Sequence, residues 1–265
     1  MSIGVRGTKR VDNKTRPDEP IIVFFLTSPG SGSTALAKLL ATDPKVCLLS
    51  PWGEGKSLVP EFQSKTRWNP RLKFDAQRLK RIWLSRFNDE YAKDNRVSIV
   101  VEKSPPNMVR IESLLSLFDT TLCFALIRNP YASVANVLRR AKLARRNEAE
   151  LLPTEAVATM ATKWCRRASI LKQKCDQLHL QVIHYEDFCA EPKRSLGNLT
   201  GLLNIIDSID YCRELSVKDY SERNVIKDFN ASAISTASAA ELSQMTDVFK
   251  DHLPLLTYFG YRIGP

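Results

Sequence analysis

A chain of 265 residues, 43% hydrophobic and 26% charged, is long enough for one buried domain of ordinary size and too apolar to be disordered throughout. Its net charge of +10 favours an anionic partner, whether a nucleotide, an acidic substrate, nucleic acid or an anionic surface. The longest apolar run, residues 21–26, is far too short for a transmembrane segment.

The six cysteines form no CxxC pair and no zinc-like spacing with histidine, which predicts reduced thiols in a cytoplasmic protein and no metal site. Cys165 and Cys175 fall within one predicted helix, too far apart to bridge. Residues 1–20 are polar and lack an apolar signal core, so they read as a flexible basic arm ahead of a single domain over residues 21–265.

In chain order, Ile21-Ile22-Val23-Phe24-Phe25-Leu26 is a continuous β-branched and aromatic run, the pattern of a strand buried on both faces. A Gly/Ser turn follows at residues 28–34, then a helix over 35–40 and a short strand over 46–49. Leu79, Ile82, Trp83 and Phe87 give helical spacing within residues 74–92. Residues 98–101 read as a strand, and a helix follows Pro105-Pro106. Residues 122–127 form a strand ending at Arg128, before a strongly basic helix over 131–146. A long amphipathic helix over 154–178, a strand over 181–185 and a helix over 192–203 complete the pattern. Buried strands alternating with helices predict an α/β fold, a P-loop-like parallel sheet with helices on both faces. In such sheets ligands sit beyond the carboxyl ends of the strands, where Ser28 to Thr34, Glu102-Lys103 and Arg128-Asn129 all fall.

The strand, Gly/Ser turn and helix at residues 28–34 form a phosphate cradle: glycines let the backbone approach an oxyanion, and the helix start offers free N–H groups. It lacks the Gly-Lys-Ser/Thr of a Walker A loop, which a kinase would need beside magnesium. A glycine-rich turn with Ser/Thr helix caps is the plain alternative. The second element, Ile127-Arg128-Asn129-Pro130-Tyr131-Ala132-Ser133-Val134-Ala135-Asn136 with Arg139-Arg140, places an arginine at a strand end ahead of a helix with polar first turns, and can clamp a second phosphate. Arg145 and Arg146 read as a solvated face.

Together these elements resemble the sulfotransferases that use 3′-phosphoadenosine 5′-phosphosulfate (PAPS). The resemblance is nearest to the tyrosylprotein sulfotransferase-like branch and runs from about residue 21 to the end. Trp52-Gly53-Glu54-Gly55-Lys56-Ser57-Leu58-Val59-Pro60 resembles that branch's acidic loop, and Val101-Glu102-Lys103-Ser104-Pro105 its strand-end lysine motif. Val182-Ile183-His184-Tyr185-Glu186-Asp187-Phe188 is similar to its His-Tyr-Glu strand. Ser221-Glu222-Arg223-Asn224-Val225-Ile226-Lys227 resembles the late loop that closes over the cofactor, and residues 255–261 the Leu-Gly-Tyr ending.

The resemblance implies transfer of a sulfuryl group from PAPS to an acceptor hydroxyl by in-line displacement, with PAP as product. Glu54 would be the base, and Lys103 and Ser221 would donate to the leaving oxygen. Pro29, Gly30, Ser31, Gly32, Ser33 and Thr34 would hold the phosphosulfate. Arg128, Ser133, Asn136 and Arg140 would hold the 3′-phosphate, with Tyr185 and Lys227 completing the cofactor site. A carboxylate near phosphates is expected to have a raised proton affinity, which suits a base.

Two positions depart from the family pattern. Gly30 stands where the family has Lys or Arg, so Lys103, then Lys56, is the candidate compensating cation, and a lysine at position 30 is expected to preserve or raise activity. Asn136 stands where the family has Ser, and can still donate a hydrogen bond. His184, inside a strand, reads as a core histidine. Glu186 and Asp187 read as capping and loop-ordering groups.

The rival readings are a P-loop kinase-like phosphotransferase and a catalytically degenerate PAP-binding protein. The basic residues do not interleave with aromatics as in a nucleic-acid module. The acceptor could be a peptide tyrosine, a sugar, a lipid or a small alcohol. Residues 57–91, with Trp68, Phe74 and Trp83 among basic side chains, would suit an acceptor with apolar and anionic parts if they line its side, although core packing is the commoner job of such rings. A homodimer is left open.

Overall fold

The computed structural model describes residues 19–144, 155–199, 201–202, 204–217 and 223–265. Its centre is a five-stranded, all-parallel sheet in the order β2-β3-β1-β4-β5. The strands are β1 (Ile21–Thr27), β2 (Val46–Leu48), β3 (Ile99–Glu102), β4 (Thr121–Ile127) and β5 (Val182–His184). The central strand β1 is buried on both faces, which explains its unbroken apolar sequence.

Alternate residues of β1 feed two cores. Ile22, Phe24 and Leu26 face one, with Trp83, Phe87, Trp164 and Phe249. Val23 and Phe25 face the other, with Leu36, Leu40 and Phe188. The first face is covered by α2 (Ala76–Lys93), α4 (Pro130–Ala144), α5 (Ala156–Leu178) and α9 (Ala239–Lys250). The second is covered by α1 (Ser33–Leu40), α6 (Tyr185–Ala190) and α7 (Pro192–Gly197). The architecture is the expected α/β sandwich.

Some local expectations shift. The segment after Pro105-Pro106 opens as a 3-10 turn over Pro105–Arg110, because proline withholds an N–H, and becomes helical only in α3 (Ile111–Leu115). Tyr185 starts α6 rather than ending β5. The helix expected over 192–203 stops at Gly197. Residues 215–258 add a small antiparallel pair, β6 (Leu215–Ser216) with β7 (Arg223–Asn224), and the helices α8 (Asn230–Ile234), α9 and α10 (Leu253–Tyr258). The α9 ring Phe249 meets Tyr131 and Trp164 edge-on.

The expected arm falls mostly on residues 1–18, outside the described residues. Glu19 is held by an ion pair with Lys80. Cys47, Cys165, Cys175 and Cys189 are buried free thiols, whereas Cys123 is only half-buried. Among the described residues no helix is long and apolar enough to cross a membrane.

Candidate active site

All five parallel strands deliver a loop to the same end of the sheet, around a cavity of about 290 Å³. Among the described residues, seven cations line it (Lys56, Arg67, Lys103, Arg128, Arg140, Arg167 and Lys227) against one carboxylate, Glu54. Such a balance in a concave, half-apolar setting selects anions.

The loop after β1 wraps the start of α1. Gly30 and Gly32 both take positive φ, 90° and 83°. A Cβ at Gly30 would lie 2.8 Å from the Ser133 carbonyl oxygen, and one at Gly32 would lie 2.5 Å from the Tyr185 ring. The loop is thus pressed between α4 and α6, and glycine fits where other residues would collide. This corrects the expectation that a lysine at position 30 would preserve or raise activity. Gly30→Lys is expected to destabilise the fold by about 2 kcal/mol or more through strain and collision. Thermal unfolding checks this, and an unchanged Tm would contradict it.

Arg128 follows β4 and is 2% exposed. Its Nη1 donates to the Gly30 carbonyl at 3.0 Å and its Nε to Asn230 Oδ1 at 2.7 Å. The guanidinium lies 4.2 Å from the Tyr185 ring centre. Its Nη2 is buried without a hydrogen-bond partner among the described residues, so one charged donor remains for a ligand. Glu186 anchors this corner: it accepts from Asn129 N at 2.8 Å, Asn230 Nδ2 at 2.7 Å and the Tyr261 hydroxyl at 2.9 Å. The Tyr185 hydroxyl donates to the Lys227 carbonyl and accepts from Phe229 N, both at 3.2 Å.

Glu54 sits in the loop after β2. Its backbone N–H donates to Ser50 Oγ at 2.9 Å, and the next N–H, from Gly55, to buried Glu102 at 2.9 Å. Gly55 has no room for a side chain, since a Cβ would lie 2.8 Å from the Trp83 ring. Lys103 N donates to the Gly53 carbonyl at 2.9 Å, tying this loop to the end of β3. The Lys103 ammonium, 3% exposed, donates to Thr34 Oγ1 at 2.8 Å and pairs with Glu54 Oε1 at 3.0 Å. Lys56 takes the other oxygen at 2.6 Å.

Burial alone would push the Glu54 carboxyl up, but Lys103 and Lys56 outweigh it and hold it at about 2. Burial pulls the Lys103 ammonium below the lysine range, and Glu54 and Glu102 pull it partly back. The expected upward shift of Glu54 is therefore reversed here, because two ammonium groups flank it.

Pro29, Gly30, Gly32, Ser33, Thr34, Glu54, Lys103, Arg128, Asn136, Arg140, Tyr185 and Lys227 line the cavity together. Ser31 and Ser133 are fully buried beside it; the Ser133 hydroxyl reaches the Arg128 carbonyl at 3.5 Å, and Ser31 Oγ has no partner among the described residues. Ser221 lies outside the described residues. His184 is not on the cavity wall; its ring lies 5.9 Å from that of Tyr261. Among the rings expected on the acceptor side, Trp83 belongs to the core and Phe74 packs edge-on against Phe62, leaving Trp68 on the wall.

Sequence reasoning missed Asn230 as a support of Arg128 and Arg167 on the cavity wall, took Glu186 only as a loop-ordering group, and covered Arg67 only as one of the unnamed basic residues of 57–91. No local pattern marks these pairings. Arg167 belongs to the polar side of a helix that reads as ordinary amphipathic packing.

A family model described as "Sulfotransferase family" matches residues 20–207, most of the chain. The chain belongs to the sulfotransferase family. Solved sulfotransferases share its fold at low sequence identity. The sulfotransferase domain from the curacin biosynthetic pathway is 18% identical, with a TM-score of 0.52 over 92% of this chain and 99% of that one. A sulfotransferase from Mycobacterium avium is 13% identical, with a TM-score of 0.56 over 93% and 78%. One from Alicyclobacillus acidocaldarius is 13% identical, with a TM-score of 0.51 over 89% and 94%. No curated protein matches this sulfotransferase.

Proposed function

We propose that this sulfotransferase moves the sulfuryl group of PAPS to an acceptor hydroxyl, with Glu54 as base. The observation that carries the reading is the chain Glu54–Lys103–Thr34, which links the loop after β2 to the first turn of α1 across the cavity. A base, a cation and a phosphate cradle within one hydrogen-bonded line are what transfer to an incoming oxygen requires.

The cavity suits a doubly anionic nucleotide. Gly30 to Thr34 and the start of α1 would hold the phosphosulfate. The unpaired Nη2 of Arg128, with Asn136 and Arg140, would hold the 3′-phosphate, while Tyr185 and Lys227 would flank the nucleotide. PAPS supplies the sulfuryl group and leaves as PAP. Glu54 takes the proton from the attacking hydroxyl. Lys103 donates to the oxygen on the leaving side, where charge develops, and Ser221 from the late loop joins it. Ser133 acts beneath Gly30, as a support of the phosphate loop.

Without added metal, PAP is expected to raise Tm far more than AMP or ATP, because the native state alone presents the second anion clamp. Differential scanning fluorimetry checks it, and equal shifts for ATP and PAP would favour a kinase-like reading. Feeding PAPS with acceptor pools and reading the products by mass spectrometry identifies the acceptor.

A further inference from the structure

The cavity wall also holds a second pair of cations, from elements other than the phosphate loop. Arg67 and Trp68 reach it from the segment before α2, and Arg167 reaches it from the middle of α5. The Arg167 guanidinium lies over the Trp68 ring at 4.5 Å. Arg110 fixes the segment by donating to the Arg67 carbonyl at 2.6 Å. Among the described residues neither Arg67 nor Arg167 pairs with a carboxylate, and the Arg67 guanidinium makes a weak 3.4 Å contact with the Ser64 carbonyl. Burial and the facing Arg67 hold the Arg167 guanidinium down at about 10. Two arginines turned into one cavity without a counter-ion are costly unless a ligand supplies the negative charge.

Arg110 also donates to the Pro106 carbonyl at 3.0 Å, so the Arg67 segment is tied to the turn after β3, whose Pro105 and Pro106 line the cavity with Lys56. Trp68 and Arg167 also wall a neighbouring cleft of about 460 Å³ along α5, whose other cations are Lys163, Arg166 and Lys174. Of these, among the described residues, only Lys174 has an ion-pair partner, Glu112. The positive surface therefore continues outward from the acceptor side.

We infer that Arg67 and Arg167 form an anion clamp for the acceptor, so that the substrate is a hydroxyl compound carrying its own carboxylate, phosphate or sulfate, with a flat or apolar part against Trp68. The inference rests on the sulfotransfer reading of the cavity. Planar guanidinium groups bind such anions through paired N–H donors, and the Trp68 face holds Arg167 in place for that contact.

The test uses two fluorescent phenols with one skeleton, 2-naphthol and 2-naphthol-6-sulfonate, titrated into protein saturated with PAP. The sulfonate is expected to bind at least about tenfold tighter, as one charge-assisted contact gives. Arg67→Gln and Arg167→Gln should each abolish most of that preference without changing PAP affinity, and Arg167→Lys should keep part of it. Equal binding of the two phenols, binding of neither, or a preference that survives both glutamine variants overturns the clamp. Failure of the sulfotransfer reading would appear earlier and separately, as absence of PAP binding. If a glutamine variant does not fold, the comparison of the two phenols on the unaltered protein still decides.

Discussion

Lys103→Met is expected to lower turnover by roughly a hundredfold or more while leaving PAP affinity largely intact. Lys103 touches both the start of α1 and the Glu54 loop. A donor aimed at charge that develops during reaction contributes roughly 3 kcal/mol in the transition state and much less to the bound nucleotide. Methionine fills the buried volume without the charge, so an effect on the fold is kept apart from an effect on the reaction. Glu54 retains Lys56 as partner in the variant. The measurement is kcat at saturating PAPS with the acceptor found by screening, set beside calorimetry with PAP. Normal turnover would show that the cation lies elsewhere, with Lys56 next.

Glu54→Gln keeps the side-chain shape and removes the carboxylate proposed as base. Turnover is expected to fall by roughly a hundredfold or more, with PAP still bound. A phenol should suffer less than an aliphatic alcohol, because its proton leaves with less help. The same variant should change the stability profile. The Glu54 carboxyl is depressed from 4.5 to about 2 in the folded protein, so its stabilisation is present above pH 4.5 and is lost as pH falls from 4.5 towards 2. That window is worth about 3 kcal/mol. The variant should therefore be less stable than the parent at neutral pH, and the difference should shrink in acid. Equilibrium unfolding in urea between pH 2 and pH 7 reads it directly. If PAP affinity collapses while turnover at saturating donor survives, Glu54 is a structural loop residue.

The five strands were legible because each is short, apolar and flanked by turn residues, and the parallel sheet followed from their alternation with helices. The loops that end β1, β2, β3 and β4 carried the chemistry-bearing residues at visible positions. The meaning of Gly30 was not legible. A glycine in a turn reads as backbone freedom, but what excludes a lysine there is the Ser133 carbonyl, about a hundred residues away in sequence. Arg67 and Arg167 share that difficulty, because periodicity along one element says nothing of a residue from another that ends beside it. Helices α8 and α10, with five and six residues, were too short to impose a period, and they hold Asn230 and the segment leading to Tyr261.

The location of Lys103 has a thermodynamic consequence. Where a cation sits on the phosphate loop itself, it serves the donor alone. Here it belongs to the neighbouring strand and is shared with the carboxylate across the cavity. An anion that draws the ammonium towards α1 leaves Glu54 with one lysine instead of two, and its affinity for a proton rises. Linkage makes this reciprocal: protonating Glu54 frees Lys103, so donor affinity should strengthen as the carboxyl is neutralised. On the proposed mechanism the two halves of the site would thereby be coupled through a single charge, and the carboxyl would become a stronger base when there is a group to transfer.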